Sequence, residues 1–433
     1  MSNDYLLVVP VKFQRVSNSH VAVESAFCEH LRMLRKLLAP SFATVTVASP
    51  AMDPAQYERD RSHLGEIDES SEGIRWVELH HGRLGTATFW LKHFVPMCRR
   101  LWDLVSNSSL VHSGISHNLW RPIEFPALLI AKLQGRKTVC VVDMDLRDDA
   151  KMNFLTGRWS RKSMLLCKYL YDPLRSLQLR FAARRCSLVL LKGRELCRDF
   201  GAGRPAVKYF LDAAYSADQL ISPEALEAKV RALEDPEAPL ELVYFGRLTA
   251  YKGVDRCIRA VAYARAQTRA PMRLHIIGTG EEEAPLRELV AQLQLQEVVT
   301  FHGALPFGPR LFETLYSMHL LLAAPLSEDT PRSALDAFAA GIPILGFDTK
   351  YYRDLRDSGA VEVVPWPSVE QLAQGIATSA ADKRRLIPLA QSAVEFARAN
   401  TQEKWLRSRI DWTLDACEEG SHSAPRVSQP GRA

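Results

Sequence analysis

Short runs rich in Val, Leu and Ile alternate with stretches of helical periodicity along most of the chain. YLLVVPV, ATVTVAS, LVHSG, KTVCVVD and CSLVLLK fall in the first half; LELVYFG, RLHIIG, VVTFHG, LLLAAP, IPILGF and AVEVV fall in the second. Such runs leave no polar face, so each predicts a parallel strand covered on both sides. Two series in succession predict an α/β protein of two doubly wound domains. Between them, SPEALEAKVRALEDPEAPLE is rich in Ala, Pro and acids and has no apolar core run. That places a linker at 223–239, a first domain at 1–222 and a second at 240–400. Residues 401–419 have the periodicity of a final amphipathic helix, expected to pack back toward the first domain, and 420–433 read as a disordered tail.

Composition adds limits. A chain of 433 residues exceeds one ordinary core, in line with two domains. No apolar run approaches the roughly 18 residues of a membrane span. The start, MSNDYLLVVPVKF, reads as a first strand rather than a signal peptide. Eight cysteines without a CxxC pair suit the reduced thiols of a cytoplasmic protein and argue against a zinc site.

The net charge of +5 is uneven: residues 151–200 hold 12 basic and three acidic side chains. Nucleic acid and an anionic membrane are the partners such a face suits. Within 158–185 the basic residues mix with Trp159, Met164, Leu165, Tyr169, Leu170, Leu174, Leu177 and Phe181. Pro173 is expected to split the segment into two short helices. It reads either as a scaffold helix with a solvated basic face or as an interfacial surface on an anionic membrane. No nucleic-acid-reading motif accompanies it, so nucleic acid is not expected as a partner.

Four pieces carry chemistry. In VYFGRLTAYKG, Gly246 turns the chain at a strand end, and Arg247 and Lys252 can face the carboxyl edge of the sheet, where two cations suit a diphosphate. HIIGTGEEEAPL is a strand, a glycine turn and a helix whose acids complement its dipole. In VVTFHGALPF the backbone after Gly303, around Leu305, can line a base pocket, and His302 reads as a packed or hydrogen-bonded histidine. LLLAAPLSEDTPRSALDAFAAGIPIL runs from a buried strand through a polar turn into a small-residue helix, with Thr330 as the expected cap and Pro331 as the first helical residue. The amides of that first turn could face an anion. Arg332 and Asp336 lie four apart and could be a surface ion pair. The small residues around Asp336 imply instead a helix packed closely enough to bury the acid, which ribose hydroxyls could satisfy.

In order and spacing these pieces resemble the nucleotide-sugar half of the group-one glycosyltransferases (family four, GT-B fold), whose pattern runs GRLxxxKG, GxG, FxG and PSxxEGxPxxxLEAMAxGxPV. The resemblance covers about 240–415; the first half matches in layout. It implies two Rossmann-like domains facing across a cleft. Arg247 and Lys252 would hold the donor diphosphate, Glu328 the donor sugar, and Asp336, in place of the usual glutamate, the ribose. Gly246, Leu305, Thr330, Arg332 and Ser333 would complete the donor site. Asp329 stands where the family has glycine, and FQRVSNSH, read with a helix start at 20, where it has a Gly-Gly loop. Asp143 stands where a first-domain histidine often lies, and could orient an acceptor or cap a helix.

The expectation is a retaining glycosyltransferase that uses a nucleotide-diphosphate sugar, with no metal and no other cofactor. Its acceptor would be a glycan or lipid-linked molecule in polysaccharide or glycolipid synthesis. The enzyme would be cytoplasmic and peripheral to the inner membrane face. A nucleotide-sugar epimerase of the same fold and a non-catalytic nucleotide-sugar-binding protein are the alternatives. A nicotinamide dehydrogenase would need a GxGxxG after the first strand, which is absent.

Overall fold

The computed structural model describes residues 4–418 apart from 62, 63, 83 and 117. The expected tail at 420–433 lies outside the described residues. Two parallel sheets dominate. The first has seven strands in the spatial order Val207–Tyr209, Leu188–Leu191, Lys137–Val142, Leu110–Gly114, Asp4–Val8, Thr44–Ala51, Ile74–His81. The second has six: Val299–Gly303, Met272–Ile277, Leu240–Phe245, Leu320–Ala323, Ile344–Phe347, Val361–Val364. Leu188–Leu191, Leu320–Ala323 and Ile344–Phe347 are buried at every position, as strands covered on both faces must be.

Each sheet reverses its strand order once. In the second the reversal falls between Leu240–Phe245 and its neighbour Leu320–Ala323, and in the first between Asp4–Val8 and Leu110–Gly114. Connections leaving two such neighbours diverge to opposite sides and open a crevice at the carboxyl edge.

Helices fill both faces of the first sheet. Ser25–Leu38 and the last helix, Gln402–Glu418, share one core with Tyr5, Val45 and Leu188. Lys137 Nζ donates to the Ala416 carbonyl at 2.8 Å, tying the C-terminal helix to the first domain. On the opposite face lie Phe94–Ser106, Glu124–Leu133 and Asp172–Arg185.

Three local expectations change. Residues 20–24 are a strand, paired antiparallel with Leu64–Asp68. The alternation His-Val-Ala-Val-Glu and the buried β-branched Val21 and Val23 favour extended chain over the expected helix; the helix begins at Ser25.

The segment expected as a linker contains the helix Pro223–Glu234, capped by Ser222, and Leu233 enters the core of the second domain. The chain also stays helical through Pro173. A π-turn, Cys167–Tyr171, joins Arg161–Leu166 to Asp172–Arg185. Widening the turn just before a proline accommodates its ring and its missing N–H without a break. Phe89–His93 is a second π-turn, ahead of Pro96.

Candidate active site

The crevice of the second sheet is built from the loops that leave its two central strands. Loop 246–253 is wedged between backbones. A Cβ at Gly253, where φ is +66°, would lie 1.8 Å from the Ala324 carbonyl oxygen, and one at Gly280 would lie 2.2 Å from that of Leu248. The glycines of GTG therefore serve close backbone packing, and the loop is pinned by bonds from Leu248 N to Thr279 O and from Leu326 N to Tyr251 O. Gly246 takes a φ of +145°, and Tyr244 Oη donates to the Arg247 carbonyl at 2.9 Å.

On this loop Arg247 is exposed and makes no ion pair among the described residues. Lys252 is half-buried and paired with Asp329. The two lie on loops that leave adjacent strands, and together with Ser333 they line one cleft. Asp329 thus holds the cation that the donor was expected to meet.

Glu328 is buried, and its Oε1 lies 3.5 Å from the Lys350 amide. Burial pushes its carboxyl up to about 7, with Lys350 acting in the opposite direction. Asp336 is also buried, and its Oδ1 has no hydrogen-bond partner. Desolvation raises it to about 7, opposed by the charge of Arg332. A buried carboxylate oxygen left unsatisfied costs on the order of 1–3 kcal/mol, and a diol would relieve that cost. The alternative of a surface ion pair with exposed Arg332 is not what the chain adopts.

The helix itself starts later than expected. It runs Ser333–Ala339 with Arg332 at the cap position, so Thr330 and Pro331 belong to the turn. Their groups are spent elsewhere: Thr330 Oγ1 donates to the Asp143 carbonyl at 3.4 Å, and the Pro331 carbonyl accepts from Tyr351 Oη at 3.2 Å. Leu305 is half-buried against the core that holds Ile277, Phe338 and Ile344. His302 is exposed and hydrogen-bonds His275 at 2.9 Å, which reaches Glu241; of the two expected roles it takes the hydrogen-bonded one.

The first domain reaches the same place. Asp143 is exposed at a strand end, while Asp145 is buried and bound by Arg147 and Lys350. The Asp149 carboxylate accepts from the Glu328 amide. Lys192, buried, donates to the Thr330 carbonyl at 3.2 Å. Sequence reasoning missed Lys192, Lys350, Asp148 and Asp149. The available signal was a charge at or just beyond the end of an apolar strand: Lys192 ends CSLVLLK, and Lys350 lies three residues past the end of IPILGF.

Residues 227–399 match the model of the family described as "Glycosyl transferases group 1". The second domain belongs to the group 1 glycosyl transferases. A Salmonella typhimurium protein named as a colanic acid biosynthesis glycosyltransferase, WcaL, is 29% identical over 162 residues, which is 36% of this chain and 39% of that one. The chain thus spans well under half the length of that curated relative. Among solved structures, HepE of Anabaena in complex with UDP has a TM-score of 0.61 at 15% identity, covering 96% of this chain and 100% of its own. WaaG, a glycosyltransferase involved in lipopolysaccharide biosynthesis, has a TM-score of 0.59 at 14% identity, covering 94% and 98%. The fold is the GT-B arrangement these structures share. The group 1 domain holds Arg247, Lys252, Glu328, Asp336 and Leu305, and the loops that carry Asp143 and Lys192 close on it from the other side.

Proposed function

We propose that the protein is a retaining glycosyltransferase that moves a sugar from a nucleoside-diphosphate sugar to a glycan or lipid-linked acceptor. The observation that carries this reading is the cleft in which Lys252, Asp329 and Ser333 meet at the switch point of the group 1 domain, with buried Glu328 and Asp336 beside it. Arg247 and Lys252 stabilise the charge on the departing diphosphate. Asp336 accepts from the ribose, and Glu328 accepts from hydroxyls of the sugar. The bond from the anomeric carbon to the phosphate oxygen breaks with its electron pair on the phosphate. The acceptor oxygen bonds to the same face, and its proton passes to the leaving phosphate. No dedicated base is needed, and Asp143 orients the acceptor.

UDP, the ligand in the HepE complex, supports a uridine diphosphate donor as the first probe. No described helix is long and apolar enough to cross a membrane. The basic segment 158–185 suits peripheral attachment to an anionic membrane surface. The test is a mass-spectrometric screen of UDP-sugars with and without membrane-extracted acceptors. Acceptor-dependent loss of the sugar with release of UDP is expected. Epimerised donor formed without acceptor, or no turnover with tight nucleotide binding, would overturn the assignment.

A further inference from the structure

The helices on one face of the first sheet form a continuous layer. Glu124–Leu133 lies between its neighbours: Gln134 Nε2 donates to the Trp102 carbonyl, and the Phe125 and Phe181 rings meet edge-on at 5.5 Å. Each helix follows a parallel strand, so each begins on the carboxyl edge of the sheet, where the crevice opens. At that edge the three begin around one aromatic junction. The Trp90 indole donates to the Trp120 carbonyl at 3.0 Å, and the Trp120 ring stands edge-on to Tyr171 at 5.9 Å. Trp90 and Tyr171 each belong to a π-turn. Trp120 comes from the loop after Leu110–Gly114, one of the two strands at the switch point.

Aromatic and leucine side chains with basic neighbours surround the junction. Leu91 is 84% exposed and Tyr169 70%, with Trp90, Trp120 and Leu170 also exposed. Lys92, Arg161, Lys162 and Lys168 are exposed on the same two helical segments. The acid of these turns, Asp172, is half-buried beside Arg175. Large apolar side chains held in water cost free energy unless a partner covers them. Indoles and a phenol at the centre with cations around them match an anionic bilayer, where rings settle at the headgroup level and each cation near the surface strengthens the attachment.

We propose that the Trp90–Trp120–Tyr171 junction, with Leu91 and Tyr169, is a membrane seat that places an anionic bilayer at the mouth of the first domain's crevice. A lipid-linked acceptor then enters head-first from the bilayer while its lipid stays there. This rests on the peripheral attachment proposed above and extends it from segment 158–185 to a second helix and the switch-point loop.

The test is flotation of the full chain with vesicles of phosphatidylcholine alone, and of equal parts phosphatidylcholine and phosphatidylglycerol, at low salt. The wild type should float with the anionic vesicles. Leu91→Ser combined with Trp120→Ala should cut partitioning about tenfold, and Leu91→Trp, on a side chain the fold does not use, should raise it. Circular dichroism checks that the variants stay folded. If the wild type floats and Leu91 substitutions change nothing in either direction, the junction is not the seat, while attachment through 158–185 stands. If the wild type fails to float with anionic vesicles, both membrane assignments fall and the transferase reading is left to its own assay.

Discussion

Lys350 joins the two domains: its ammonium lies 2.7 Å from Asp148 Oδ2, across the cleft from the strand that positions it. It also meets buried Asp145 at 3.2 Å, while its own amide faces Glu328. One residue therefore links buried Glu328 of the second domain to the loop that carries Asp143. Lys350→Met should leave each domain folded but weaken closure. Small-angle scattering should show a larger radius of gyration, and turnover should fall about tenfold or more, as expected when the reacting groups are less well held. An unchanged radius and rate would show that the contact is incidental.

Arg247→Ala and Lys252→Ala should each lower turnover about 10²-fold or more, because preorganised charge on the leaving diphosphate is lost. Arg247 is exposed, so its melting temperature should not move. Full activity in both variants would remove the donor-site assignment.

Asp329 pairs with Lys252, the cation proposed to meet the donor diphosphate. Asp329→Gly should free the ammonium and remove a negative charge from the cleft, tightening UDP binding several-fold in calorimetry. Weaker binding would mean that Asp329 holds Lys252 in its working position rather than withholding it.

The buried acids make stability depend on pH in a defined direction. Asp336 and Glu328 are both raised to about 7 in the folded chain, whereas unfolded carboxyls ionise near about 4. Between these values the unfolded state releases protons that the folded state keeps. Stability is therefore greatest below about 4 from these groups and is lost as pH rises to about 7. Asp336→Asn should remove part of that slope in urea denaturation, and a parallel curve would exclude the burial effect. A ribose diol donates best to the ionised acid. UDP affinity should therefore rise from pH 6 to pH 8 in the wild type but stay flat in Asp336→Asn.

Turnover should survive EDTA if, as proposed, Lys252 and Arg247 supply the positive charge that a divalent ion would otherwise provide. Abolition by the chelator and restoration by a divalent cation would reverse that expectation.

The apolar runs determined the two sheets. A strand covered on both faces must be apolar throughout, so LVLL, LLLA and ILGF declare themselves without any tertiary contact. The order of GRLTAYKG, GTG and SEDTPRSALD likewise declared the loops that build the crevice of the second sheet, since each motif is local. His20–Glu24 was less legible: five residues fit either helix or strand, and pairing with Leu64–Asp68 decided it. The helix start at Ser333 was decided by Asp143 and Tyr351 claiming the turn before it.

Lys350, Lys192 and Asp149 could not be read as site residues at all, because a charge at a strand end acquires a role only when a distant loop meets it. Trp90, Trp120 and Tyr171 are far apart in sequence and ordinary one by one. Only the parallel wrapping of three helices on one sheet face brings them together, and nothing local in the chain encodes that placement.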